Sequence, residues 1–93
     1  MPVEEVIDMI IHTCVKFSAK RVYLYGSRAK GTDRERSDID IAVAGASDFG
    51  DLSEAIEEIA TLYMIDLLNL DTCRNQSLLE DIEAYGQKIY EEV

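Results

Sequence analysis

Val3, Val6, Ile7, Ile10, Ile11, Cys14 and Phe17 recur at three- and four-residue steps, which predicts an amphipathic helix over residues 3–18. Pro2 suits a first helical position, Glu4, Glu5 and Asp8 fall where the helix dipole favours acids, and Lys16 and Lys20 fit the far end. The period then changes. Val22 to Tyr25 is a short apolar, β-rich run that predicts a central strand, with Tyr23 and Tyr25 as packing residues. Ser27 to Lys30 predicts a single helical turn with Ser27 as its N-cap, and the polar, glycine-led stretch Gly31 to Arg36 predicts an exposed loop. Asp38 to Ala44 reads as a second strand.

Beyond the glycine-bounded loop Gly45 to Gly50, to which no chemistry is assigned, a helix is expected over Leu52 to Leu62, capped by Asp51 or a neighbour. Its apolar stripe is Leu52, Ala55, Ile56, Ile59 and Ala60. Met64 to Leu68 predicts a third strand, apolar except for Asp66. Leu78, Leu79, Ile82, Tyr85, Ile89 and Tyr90 then share one helical face, so Gln76 to Glu92 reads as a closing helix that Gly86 interrupts without ending. This order predicts an α/β (α+β) domain: a small mixed sheet of at least three strands with helices packed on one face and the other face open to a ligand. At 93 residues the chain is expected to form one domain, residues 1–93.

Composition narrows the function classes. With 47% hydrophobic and 30% charged residues the balance is that of a globular protein, and no run reaches membrane-spanning length. A formal net charge of −10 argues against a general binder of nucleic acid or anionic membrane, because both need a basic surface. Lys20, Arg21, Arg28, Lys30, Arg34 and Arg36 nevertheless gather six of the nine basic residues into one region, a basic mouth on an acidic body that suits a nucleoside triphosphate. Cys14 and Cys73 have neither zinc-site nor disulfide spacing, and the N-terminus lacks the features of a signal peptide, so a cytoplasmic protein is expected. His12, the single histidine, has no catalytic partner near it in sequence and reads as structural.

The candidate chemistry lies in two adjoining stretches. Gly26 and Ser27 follow the first strand directly, where glycine allows a tight turn, backbone amides can meet an anion and serine adds a hydroxyl donor. On the next strand, alternation puts Asp38 and Asp40 on one side and Ile39, Ile41 and Val43 on the other. Two carboxylates separated by about 6.5 to 7 Å along a strand can bend toward one cation or a close pair, and hard oxygen ligands beside a phosphate turn suit magnesium. Asp66 is a charge in an apolar strand and needs a partner or a metal. If the third strand lies beside the second with the same facing, three carboxylates converge. Asp71 ranks below it because it follows Asn69 in an apparent loop. An EF-hand loop is excluded by Ile39 and Ile41 and by the missing glycine and distal glutamate.

Gly26-Ser27, ten intervening residues and Asp38-Ile39-Asp40 resemble the signature of the DNA polymerase β-like nucleotidyltransferase superfamily, and the compactness resembles its minimal nucleotidyltransferase (MNT) branch. The resemblance covers nearly the whole chain. It implies that Asp38, Asp40 and Asp66 hold magnesium and carry catalysis, Asp66 also helping to deprotonate the acceptor hydroxyl. Gly26 and Ser27 would hold the β- and γ-phosphates of ATP. Arg28 and Lys30 would neutralise the leaving pyrophosphate, Lys30 standing where many relatives carry arginine.

Larger superfamily members carry a further domain for the acceptor, for which the chain is expected to have no residues left. MNT proteins of this kind typically pair with a HEPN-domain ribonuclease toxin as its antitoxin, and some transfer AMP to a tyrosine of that toxin. The resemblance therefore implies a hetero-oligomer with a HEPN toxin, using ATP and Mg2+ and making no direct contact with nucleic acid or membrane. Neutralisation of the toxin by binding alone, or transfer to a small molecule, are the alternatives.

Overall fold

The computed structural model describes residues 2–31, 38–59 and 61–92. Eight elements follow in order: α1 (Val3–Lys16), β1 (Arg21–Tyr25), α2 (Ser27–Lys30), β2 (Ile39–Ala44), α3 (Phe49–Glu57), β3 (Ile65–Asn69), α4 (Gln76–Tyr85) and β4 (Gln87–Glu91). The strands form one mixed sheet of order β3-β2-β1-β4. β1 pairs antiparallel with β2 and β4, while β2 and β3 run parallel and are joined across α3. This is the expected α+β mixed sheet, with a fourth strand. The six loop residues after Gly31, with Arg34 and Arg36 among them, and Ala60 of the expected α3 stripe lie outside the described residues.

The alternation read in the sequence builds the core. Val22 and Leu24 of β1 and Ile39, Ile41 and Val43 of β2 face one side, where Val6, Ile10 and Cys14 of α1 and Leu52 and Ile56 of α3 close over them. Most of these side chains are fully buried, and burial of the Cys14 thiol pushes its pKa up to about 11, so it behaves as an inert apolar group. α1 stops at Lys16, shorter than expected, because Ser18 takes a left-handed backbone (φ 61°) that leads into β1. His12 is exposed. Asp48 caps α3 through a 3.0 Å hydrogen bond from the Asp51 amide, and the helix ends at Glu57 rather than Leu62.

Two expectations are corrected at the C-terminal end. Gly86 does end the closing helix: it turns to an extended backbone (φ −64°, ψ 146°), and the chain returns as β4 along the free edge of β1. Ile89 and Tyr90 therefore belong to a strand. Their spacing from Ile82 and Tyr85 fits a helix, but pairing with β1 satisfies backbone groups that would otherwise stand open at a sheet edge. The one-face arrangement holds for α1 and α3. α4 packs on the other side, where Leu79 and Ile82 meet Tyr23 around a cavity of about 380 Å³.

Candidate active site

The turn after β1 can be built only with glycine. Gly26 has φ 74° and ψ −152°, outside the range of residues with side chains, and a Cβ there would overlap the Asp40 carboxylate. The turn and the first strand acid are therefore in direct contact. α2 starts at Ser27 with Gly26 in the cap position and no side-chain cap, so Ser27 is the first helical residue rather than the N-cap.

Strand register brings the acids together. Tyr25 lies opposite Asp40, and Asp40 lies beside Asp66 in the parallel β2–β3 pair, giving a row Tyr25–Asp40–Asp66 across three strands. Residues side by side in adjacent strands share a face, here the one opposite the α1–α3 core. Asp66 is exposed rather than buried in its strand, and its charge acts on the neighbouring Asp40. Asp38 precedes the first paired residue of β2 and is exposed rather than in the strand, yet its charge still acts on Asp40.

Electrostatics records how close these groups are. Asp40 is pushed up from the ordinary 3.8 to about 6, first by burial and then by the neighbouring Asp66 and Asp38, against the opposing pull of Arg28. Tyr25 is pushed up to about 12 by burial, by both strand acids and by Cys73. Tyr25 was expected only to pack. Its place in the acid row was available from the alternation in β1, since Val22 and Leu24 facing the core leave Tyr23 and Tyr25 on the opposite side.

The basic residues divide. Arg28 lies with its guanidinium carbon 5.1 Å from the centre of the Tyr63 ring and acts on Asp40, so it belongs to the acid row. Lys30 lies 2.8 Å from Asp81 on α4. Lys20 and Arg21 stand at the opposite end of β1, opposite Ala44, and do not contribute to a common basic mouth. Asp71 is also at that end, its Oδ2 accepting a 2.9 Å hydrogen bond from the Gly45 amide.

Among the described residues no three His, Cys, Asp or Glu side chains form a ready-made metal cage. The donor set nevertheless fits a hard divalent cation. Asp40 and Asp66 are carboxylates side by side on adjacent strands, the charge of Asp66 helps raise the Asp40 pKa, and a cation between them would relieve that repulsion. All donors are oxygens. Asp38, exposed and acting on Asp40 only through its charge, does not join them as a third ligand in a group of three among the described residues, so the expected convergence of three acids is reduced to a pair, with the remaining positions left to water and substrate.

A single mixed sheet carries a glycine turn against one strand carboxylate, with a second carboxylate in register beside it, in an α+β domain. The family model described as Polymerase beta, Nucleotidyltransferase matches residues 8–93, and the chain belongs to this family. Among solved structures, a toxin–antitoxin crystal structure with AMP-PNP is 24% identical, covering 96% of this chain and 73% of that chain with a TM-score of 0.64. The MntA-HepT toxin–antitoxin structure is 21% identical, covers 96% of this chain and 73% of that one, and has a TM-score of 0.62. At these identities the likeness is one of fold. No curated protein matches the chain.

Proposed function

We propose that the protein is a magnesium-dependent nucleotidyltransferase that moves AMP from ATP to a tyrosine hydroxyl of a HEPN-domain toxin, acting as the toxin's antitoxin. The observation that carries this reading is the Asp40–Asp66 pair, in register on adjacent strands, with Asp40 in contact with the Gly26 turn. Family membership over residues 8–93 supports the reaction class, and the fold shared with toxin–antitoxin structures, one with AMP-PNP, supports the partner and the nucleotide.

Asp38 and Asp40 would hold magnesium against the triphosphate, with Asp66 completing its protein ligands. When bound, the cation neutralises phosphate charge and lowers the pKa of the acceptor hydroxyl. Gly26 brings its backbone close to the β- and γ-phosphates, and the Ser27 hydroxyl donates to them. The acceptor oxygen attacks the α-phosphorus, its proton passes to an Oδ atom of Asp66, the bond from the α-phosphorus to the bridging oxygen breaks, and pyrophosphate leaves. Arg28, steadied on Tyr63, offsets the charge of the departing group.

Neutralisation by binding alone is the second reading, favoured by Leu62 (91% exposed) and Met64 (67% exposed), apolar side chains that lead directly into β3. One experiment separates the two. Partner incubated with protein, ATP and Mg2+ should gain the mass of one AMP, and Asp38→Ala/Asp40→Ala should abolish both that gain and cellular rescue. An unmodified partner in a formed complex, or rescue by the double variant, would leave the binding reading in place.

A further inference from the structure

The last turn of α2 is held from outside the acid row. Lys30 Nζ lies 2.8 Å from Asp81 Oδ1 and 5.1 Å from the centre of the Tyr85 ring, both on α4. One residue earlier, the Ala29 carbonyl oxygen accepts a 3.1 Å hydrogen bond from Gln87 Nε2, at the start of β4. All three contacts end at the corner where α4 passes into β4. That corner is tight, with the Gly86 amide donating to the Ile82 carbonyl at 2.7 Å and no room for a Cβ on Gly86.

A four-residue helix has almost no stability of its own, so its orientation is set by what grips it. At its start the Gly26 turn rests on Asp40; at its end the α4–β4 corner holds Ala29 and Lys30. We propose that Lys30, Asp81 and Gln87 form a tether that fixes the angle of α2 over the Asp40–Asp66 pair, with Lys30 a positioning residue rather than a phosphate ligand. The functional part of this rests on the reading of Gly26 and Ser27 as the triphosphate-binding turn. The two cations of α2 thus have separate work: Arg28 acts on Asp40, while the Lys30 ammonium is compensated by a carboxylate on another element. The ion pair is partly shielded, its side chains 38% and 30% exposed, and the Tyr85 ring covers part of the ammonium.

Two measurements on the intact chain test the tether. Hydrogen exchange at the Lys30 and Gly31 amides, which donate to the Gly26 and Ser27 carbonyls, should quicken in Asp81→Asn and Gln87→Ala while the circular dichroism of the chain is unchanged; exchange as slow as in the wild type overturns the proposal. Lys30→Asp should weaken MgATP binding by about three- to tenfold, the range expected for loss of a partly exposed pair. Adding Asp81→Lys should restore it. A double variant that stays as weak as Lys30→Asp means that Lys30 acts directly on phosphate, and the tether falls as the explanation. If the wild type binds no MgATP, the nucleotide reading fails, and the exchange rates still decide the tether.

Discussion

Asp40 holds its proton more tightly in the folded chain than an ordinary aspartate does, with a pKa raised from 3.8 to about 6. The sign of the consequence follows from linkage. Below the unfolded value both states are protonated and the contribution to stability is whole; as pH rises through about 6 the folded state must ionise beside Asp66, and that stability is lost. After allowance for solvent screening the loss is about 1–2 kcal/mol. Asp40→Asn, measured by thermal melting in the presence of chelator, should therefore raise Tm at pH 7.5 and leave it nearly unchanged at pH 4.5. Mg2+ should raise the wild-type Tm at pH 7.5 and do little for the variant. These two carboxylates were legible as residues, since one is paired with Asp38 and the other interrupts an apolar run. Their contact was not, because register between strands is set by packing across α3, not by either stretch alone.

The α4–β4 corner shows at the element scale why the closing segment was misread. Ile82, Tyr85, Ile89 and Tyr90 satisfy a helical period, and glycine costs only about 1 kcal/mol inside a helix, so local evidence favours continuation. The sheet decides otherwise, because continuation would leave one edge of β1 unpaired along five residues. Gly86→Ala tests the corner. Alanine restricts the unfolded chain and so adds about 0.4–1 kcal/mol of stability, but its Cβ would overlap the Ile82 carbonyl oxygen and press on Ile82 Cγ2, an overlap costing about 1–3 kcal/mol. The overlap is the larger effect. Denaturant unfolding should show a net loss of stability, with faster exchange of the β4 amides.

The whole molecule is a sheet with unlike faces. One is sealed by α1 and α3 around Ile41, which is fully buried at the middle of β2; the other carries the acid row at one end and α4 at the other. The sealed face supplies the rigidity that keeps Asp40 and Asp66 in register, since their strand neighbours Ile39, Ile41, Ile65 and Leu67 belong to the core or pack against it. Ile41→Ala should cost about 2–5 kcal/mol in denaturant unfolding, a large share of the roughly 5–15 kcal/mol expected of a natural domain. The variant should lose nucleotide affinity together with stability, whereas the tether variants should lose affinity with little change in Tm.

Periodicity along the chain was enough for α1, β1, β2, α3 and β3 to within a few residues, because each buries one face against a common core and repeats its apolar positions accordingly. The Gly-Ser turn and the paired acids were likewise written locally, as residue types at a fixed spacing. What tertiary structure alone decided is which distant groups meet: Asp66 with Asp40, Arg28 with Tyr63, Lys30 with Asp81, and the last residues with the edge of β1. Those contacts depend on strand register and on the need to pair a free sheet edge, quantities that belong to the assembled sheet and to no single stretch of sequence.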